Sequence, residues 1–427
     1  MDASSRYHPR VVDGELGELL DALPAVAIEG PKAVGKTASA LRRAGSVHQL
    51  DDPDQRAVAE AGLDRLLETD PPVLIDEWPY VPPIWDRVRR AVDQGAAPGR
   101  FLLTGSASPR DTGTHSGGGR IVSVRMRPLS LAERLEQRPT VSLSDLLDGG
   151  RPPVDGTTSI GVADYTEEIL RSGFPGLRSI SGRPLRTALD SYIQRIVDRD
   201  FPELGHPVRN RDGLLRWMRA YAAASSTTTS FEKIRDAASA GSANPPTRKT
   251  VMPYREVLER LFILDTVDGW KPSRNHVAEL ALPPKHQLAD PALAARLLGA
   301  SSRSLLAGDA PGPVIPRGGT LLGALFESLV TLSVRVYAQA SEASVRHLRT
   351  HRGDHEVDLI VERDDGRVVA IEVKLSATPP DDAVRHLHWL QRQIGDDLLD
   401  AVVVTTGGAA YRRDDGIAVI PAALLGA

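Results

Sequence analysis

The 427-residue chain contains no cysteine, which excludes disulfides, thiolate zinc sites and cysteine nucleophiles. A cysteine-free chain also fits a reducing compartment. Aromatic residues make up only 4%, and no functional reading attaches to that shortage. Neither sign of charge prevails: 52 Lys and Arg stand against 56 Asp and Glu, a net charge of -4. A uniformly basic nucleic-acid coat is therefore excluded, although a local basic face is not. No apolar run approaches the length of a membrane span. The segment Met1-Asp2-Ala3-Ser4-Ser5-Arg6 lacks the apolar core of a signal peptide. The expectation is a cytoplasmic protein with no membrane association. The chain is long enough for two or three domains, each with its own core.

What is present is concentrated first in a short stretch near the N-terminus. Apolar Pro24-Ala25-Val26-Ala27-Ile28 leads into Gly30-Pro31-Lys32-Ala33-Val34-Gly35-Lys36-Thr37, and helix-favouring Ala38-Ser39-Ala40-Leu41-Arg42-Arg43 follows. Strand, glycine loop and helix in that order form a phosphate-binding loop. The glycines let backbone N–H groups curl round an anionic phosphate, and the helix N-terminus adds partial positive charge. Lys36 is expected to reach the β- and γ-phosphates of ATP, with the Thr37 hydroxyl on Mg²⁺.

Two further strand ends complete this picture. Val73-Leu74-Ile75-Asp76-Glu77 is an apolar strand ending in two carboxylates. Asp76 suits Mg²⁺ through water, and Glu77 suits polarisation of the attacking water. Phe101-Leu102-Leu103 runs into Thr104-Gly105-Ser106. A polar strand end of this kind is expected between the other two, with Thr104 and Ser106 sensing the γ-phosphate. Gly113 to Gly119 is a Gly/Ser/Thr-rich loop flanked by Arg110 and Arg120. Either arginine is a candidate to complete the ATP site, in cis or from a second copy in a homo-oligomer.

Gly149-Gly150-Arg151-Pro152-Pro153 through Ser159 reads as a linker. Beyond it come helical stretches. Leu214 to Ala224 is followed by a Ser/Thr run, Ser225 to Ser230, that can cap a helix at Phe231. Another helix spans Val251 to Leu261, and Phe262-Ile263-Leu264 with Val267 suggest a short hairpin. Helix, turn, helix, hairpin is a winged-helix layout that would present Arg248, Lys249 and Arg255 to DNA.

The C-terminal third holds a separate constellation. Glu327 lies in the apolar helix Gly323 to Val330. Glu356 to Val361 is a strand, Asp365-Gly366 a hairpin turn, and Val368 to Lys374 the returning strand. Period-2 geometry puts Glu372 and Lys374 on one face, where Asp358 can lie beside them. Asp358 and Glu372, with Glu327 as a third carboxylate, are candidate ligands for Mg²⁺. Lys374 would orient a nucleophile for phosphodiester cleavage. Acid, hairpin and Glu-x-Lys match the restriction-endonuclease-like metal signature.

Taken together, these motifs resemble the bacterial and archaeal AAA+ ATP-binding proteins that end in a C-terminal domain of unknown function. The similarity covers nearly the whole length. Leu102-Leu103-Thr104-Gly105-Ser106 is similar to that family's third-strand signature. Gly119-Arg120, with Pro128-Leu129-Ser130, resembles its glycine–arginine and Pro-Leu-Ser elements. Gly173-Phe174-Pro175, Tyr192 with Arg199-Asp200, and Lys249-Thr250 with Tyr254 and Leu258 look like its middle pattern. Lys285-His286 with Asp290-Pro291, and Glu372-Val373-Lys374, resemble its C-terminal signature. Gly117-Gly118 departs from the family, which usually has an apolar or small residue there.

The resemblance implies an α/β architecture. An AAA+-type doubly wound parallel sheet over 1–150 is followed by a helical and winged-helix segment over 151–272. A restriction-endonuclease-like α/β domain then spans 273–427. The expected function is a Mg-dependent ATPase that controls a C-terminal nucleic-acid-handling domain. Two alternatives stay open: an ATP-gated metal-dependent nuclease, and an ATP-switched DNA-binding or assembly protein whose nuclease-like domain is catalytically silent.

Overall fold

The computed structural model describes residues 7–106, 118–240, 248–272, 282–313, 315, 319–350, 353–380 and 383–427. It divides into two compact units. The first comprises the chain through Arg127 with Phe174–Gly176 and Val257–Ile263, and the second comprises Pro128–Gly173, Leu177–Glu256 and Leu264–Ala427.

The first unit is built on five parallel strands, β1 (Ala25–Glu29), β2 (Ser46–Gln49), β3 (Val73–Asp76), β4 (Phe101–Gly105) and β5 (Val122–Arg125). Their order is β2-β3-β4-β1-β5. The strand ending in Thr104 thus lies between β1 and β3, as its polar end suggests. β3 and β4 are buried along their whole length, so they read as unbroken apolar runs rather than alternating ones. Helices α1 (Val12–Ala22), α2 (Lys36–Leu41), α3 (Pro53–Ala61), α4 (Leu63–Leu67) and α5 (Pro83–Asp93) complete the unit. α3 starts where it does because the Asp52 carboxylate accepts from the N–H groups of Asp54 and Gln55, with Pro53 at the first helical position. Under the sheet, Val73, Ile75, Phe101 and Leu103 pack with Ile84 and Val88 of α5 and with Trp78 and Trp85. The two indole rings lie 4.6 Å apart.

In the second unit a two-stranded piece, β6 (Val141–Ser142) with β14 (Leu425–Gly426), accompanies a seven-stranded mixed sheet. The sheet comprises β7 (Gly269–Trp270), β8 (Ser344–Arg349), β9 (Glu356–Glu362), β10 (Val368–Val373), β11 (Leu398–Thr405), β12 (Tyr411–Arg412) and β13 (Ala418–Pro421). The order is β12-β13-β11-β10-β9-β8-β7. β9 and β10 pair antiparallel across the expected turn, where Gly366 takes a φ of +82° and Asp365 holds both Arg363 and Arg367. β10 and β11 run parallel, joined through the helix Arg385–Ile394.

Three sequence expectations change here. The expected boundaries at 150 and 272 do not coincide with the two units, whose chain changes over after Arg127 and again around Phe174–Gly176 and Val257–Ile263, and 151–272 and 273–427 share a core. The helix Val162–Arg171 packs on Pro291–Leu298 and Leu321–Ala340, and β7 joins the C-terminal sheet. The expectation about apolar length also fails. Leu321–Ala340 is long and apolar enough to cross a membrane, since a window mean tolerates Glu327 and Arg335, but 78% of its apolar window is buried inside the fold. It is a core helix of the second unit. Third, the stretch after the helix Arg248–Arg260 does not close a local hairpin. Leu264 and Val267 instead bridge to Leu288 and Lys285. Ser230 caps the helix Phe231–Ser239 as expected. Arg255, expected to face DNA, lies over the Phe231 ring at 4.3 Å. The side chains of Arg248 and Lys249 lie outside the described residues.

Candidate nucleotide site and carboxylate–lysine cluster

The glycine loop leaves the end of β1 and enters α2 at Lys36. Gly30 is obligatory: a Cβ there would sit 2.2 Å from the Met126 carbonyl oxygen. Gly35 turns the chain with a φ of +106°, a conformation that costs other residues energy. Lys36 is buried, and its Nζ donates to the carbonyls of Gly30 and Pro31 at 3.0 Å each and to Ser106 Oγ at 2.9 Å. Burial lowers its pKa to about 8, against the pull of Glu77 and Asp76; Lys32 and Arg125 lower it further.

The two strand ends meet this lysine. Thr37 Oγ1 donates to Asp76 Oδ1 at 2.8 Å, and the Thr104 hydroxyl donates to the same oxygen. The Glu77 N–H donates to Thr104 Oγ1 at 3.2 Å, and Ser106 Oγ donates to Glu77 Oε1 at 2.8 Å. Glu77 takes a left-handed φ of +52°, unusual for a residue with a side chain. It turns the chain out of β3 into the Trp78–Tyr80 helical turn. Lys36, Thr37, Asp76, Glu77, Thr104 and Ser106 are thus one connected network. Thr37 and Asp76, side by side, are a hydroxyl and carboxylate pair suited to Mg²⁺.

Arg120 stands apart from this network, exposed, with its Nε on Asp93 Oδ1 at 2.8 Å and Nη1 on the Gly118 carbonyl. Arg110 lies outside the described residues. Two arginines were not foreseen. Arg10, buried, donates from Nη1 to the Val34 carbonyl at 3.0 Å and from Nη2 to the Arg127 carbonyl at 2.7 Å, so it braces the loop from behind. Arg125, at the end of β5, lies over the Phe262 ring at 3.9 Å and acts on the Lys36 charge. A lone arginine far from a motif gives spacing arguments nothing to register; only the position of Arg125 at an apolar strand end was a signal.

In the second unit Glu327, Asp358, Glu372 and Lys374 do come together, lining a cleft of about 1050 Å³. Lys374 Nζ donates to Glu372 Oε1 at 2.6 Å, as the period-2 reading requires. Asp358 Oδ2 accepts from the Val373 N–H at 2.9 Å. Lys285, singled out by the sequence only within a resembled signature, joins this cluster: it is fully buried, and its Nζ lies 2.9 Å from Glu327 Oε1, 3.0 Å from Asp358 Oδ1 and 3.5 Å from Glu356 Oε1.

Burial opposes the Lys285 charge, yet Asp358, Glu327 and Glu356 hold the ammonium well above its ordinary pKa. Burial and the Asp358 charge push Glu327 up to about 8, and the same two causes push Glu372 up to about 8. Burial would raise Asp358 too, but Lys285 and Lys374 outweigh it and keep that carboxyl below its ordinary value. Among the described residues no group of three or more His, Asp or Glu side chains is arranged to hold a metal ion. The expected Glu327, Asp358 and Glu372 set lies together at this cleft, with the Lys285 ammonium between Glu327 and Asp358.

Comparison with known proteins adds three family matches. Residues 23–135 match an AAA domain. Residues 162–304 match a domain of unknown function (DUF8612), and residues 322–425 match another (DUF4143). The uncharacterized proteins Rv2008c of Mycobacterium tuberculosis and Mb2031c of Mycobacterium bovis are each 25% identical over 95% of this chain and 82% of their own. Among solved structures, the Walker-type ATPase PABY2304 of Pyrococcus abyssi is similar at 16% identity, with a TM-score of 0.38 over 67% of this chain and 94% of its own. With the loop, the Thr37–Asp76 pair and the strand order already in place, residues 23–135 are an AAA-type P-loop ATPase domain.

Proposed function

We propose that the chain hydrolyses Mg-ATP at the first unit and that its nucleotide state governs a nucleic-acid-handling second unit. One observation carries the ATPase reading: Lys36, Ser106 and Glu77 form one hydrogen-bonded chain beside the Thr37–Asp76–Thr104 set. Lys36 and the loop N–H groups bind the β- and γ-phosphates. Thr37 and Asp76 would hold Mg²⁺, which when bound neutralises charge on the transferring phosphoryl group. The Glu77 carboxylate orients the attacking water and accepts its proton, and Ser106 relays the position of the γ-phosphate to Glu77. Lys36→Ala is expected to abolish nucleotide binding, and Glu77→Gln to cut turnover about 100-fold while ATP stays bound. Both are read by phosphate release and by fluorescent-nucleotide binding; undiminished turnover in Lys36→Ala would sink the assignment.

Support for the nucleic-acid part comes from the second unit's element order. The helix Leu321–Ala340, three antiparallel strands, the helix Arg385–Ile394 and a parallel strand follow the layout of the endonuclease-like fold the sequence resembles. Lys233, Arg349 and Lys374 line the same cleft. Between the two open readings, the buried Lys285 favours a module that binds DNA without cutting it. Salt-dependent DNA binding, with plasmid left intact in Mg²⁺ or Mn²⁺, is the expected result. Metal-dependent nicking that disappears in Asp358→Ala would reverse that preference.

A further inference from the structure

We propose that Lys285 is a resident cation in the second unit's carboxylate cluster, standing where those carboxylates would otherwise hold a divalent metal. Its Nζ lies between Glu327 of the helix Leu321–Ala340 and Asp358 of β9, at 2.9 and 3.0 Å. A Mg²⁺ or Mn²⁺ ion needs the same oxygens at about 2.0–2.2 Å. Ion and ammonium cannot both use them. The other oxygen of Asp358 accepts from the Val373 N–H, so both of its oxygens already have a donor.

The lysine is also not a side chain swung in from a loose loop. Lys285 N donates to the Val267 carbonyl at 2.8 Å and Val267 N donates back at 2.9 Å, while the next residue's N–H donates to the Thr227 carbonyl at 2.9 Å. The backbone is fixed on both sides of the ammonium. Glu372 borders the same cleft; its Oε1 accepts from Lys374 at 2.6 Å, and its Oε2 is buried with no hydrogen-bond partner. Removing the Lys285 charge would leave Glu327 and Asp358 without the cation between them, and carboxylate oxygens are the ligands a hard divalent cation prefers. A buried carboxylate group of this size needs a counter-charge, and here the chain supplies its own. The inference stands whether or not the unit handles nucleic acid.

The test is Mn²⁺ binding by the nucleotide-free full chain, followed by electron paramagnetic resonance of free Mn²⁺. Each protein is compared with its Asp358→Asn counterpart, so that any ion at Thr37 and Asp76 cancels. Wild type and Asp358→Asn are expected to hold equal Mn²⁺. Lys285→Ala is expected to hold about one further ion per chain, lost again in Lys285→Ala/Asp358→Asn. Extra Mn²⁺ in the wild type over Asp358→Asn overturns the proposal, as does a folded Lys285→Ala that gains none. Should Lys285→Ala fail to fold, the wild-type pair decides by itself: equality upholds the proposal and inequality overturns it. ATP turnover measured in the same samples reports on the nucleotide site, so failure of one reading is distinguishable from failure of the other.

Discussion

At the scale of single residues the protein's chemistry turns on two buried lysines with opposite surroundings. Lys36 sits among carbonyls and a hydroxyl and its pKa falls to about 8, whereas Lys285 sits among carboxylates and is held well above its ordinary value. For Lys36 the folded chain disfavours the ammonium. Its burial therefore costs stability below about pH 8, and the cost fades as pH rises from there towards the ordinary 10.5. A bound triphosphate does the opposite and favours the ammonium. ATP affinity is thus expected to be flat below pH 8 and to weaken about tenfold per pH unit above it. Dissociation constants at pH 7, 8 and 9 check this, and a flat line through pH 9 would remove the buried-lysine account. Asp290 shows a different use of a resembled signature. It is fully buried, it caps the helix Pro291–Leu298 by accepting from the Ala292 N–H, and it accepts from the Gly173 N–H. Its part is architectural.

Elements show why some of the site was legible and some was not. The phosphate loop could be read because its parts are contiguous: β1, two glycines, Lys36, Thr37 and α2 follow one another in the chain. Gly30→Ala is expected to displace the loop from Met126, since the added methyl meets that carbonyl at 2.2 Å. ATP affinity should fall at least about tenfold, by at least about 1.4 kcal/mol, as fluorescent-nucleotide titration would show. Unaltered affinity would mean that the loop tolerates the shift.

Pro128-Leu129-Ser130, noted only as a resemblance, also has a local cause. Ser130 and Glu133 form a reciprocal capping box that starts the helix Leu131–Arg134. The carboxylate–lysine cluster was half legible. Glu372 and Lys374 share a face by strand periodicity, but Lys285 lies 42 residues from Glu327 and 73 from Asp358. No spacing rule within an element reaches that far. The same blindness misplaced the domain cut, because Gly149-Gly150 and the prolines after it mark a bend in the chain and not the edge of a core.

At the scale of the whole molecule, the first unit is not a continuous piece of sequence. Val257, Leu258, Leu261 and Ile263 are buried and Phe262 covers Arg125, within a segment that belongs to the first unit. A fragment ending at residue 150 lacks that cover. Loss of several buried apolar side chains at about 2–5 kcal/mol each predicts a melting temperature lower by about 10 °C or more, or an insoluble product. Thermal unfolding monitored by tryptophan fluorescence of the fragment against the full chain checks this. An unchanged transition would show the segment to be dispensable.

The pairing of β6 with β14 reaches further still. Leu425 and Gly426 lie alongside Val141 and Ser142, the Thr140 N–H donates to the Leu424 carbonyl at 3.0 Å, and the Ala423 N–H donates to the Tyr165 hydroxyl at 3.0 Å. Almost all of the second unit's chain lies between these partners, so the loop they close is long and its closure entropically slow. During synthesis β6 emerges well before the strand that completes it. For that interval the nascent chain carries an unpaired edge, and the timing of its maturation is set by the arrival of β14.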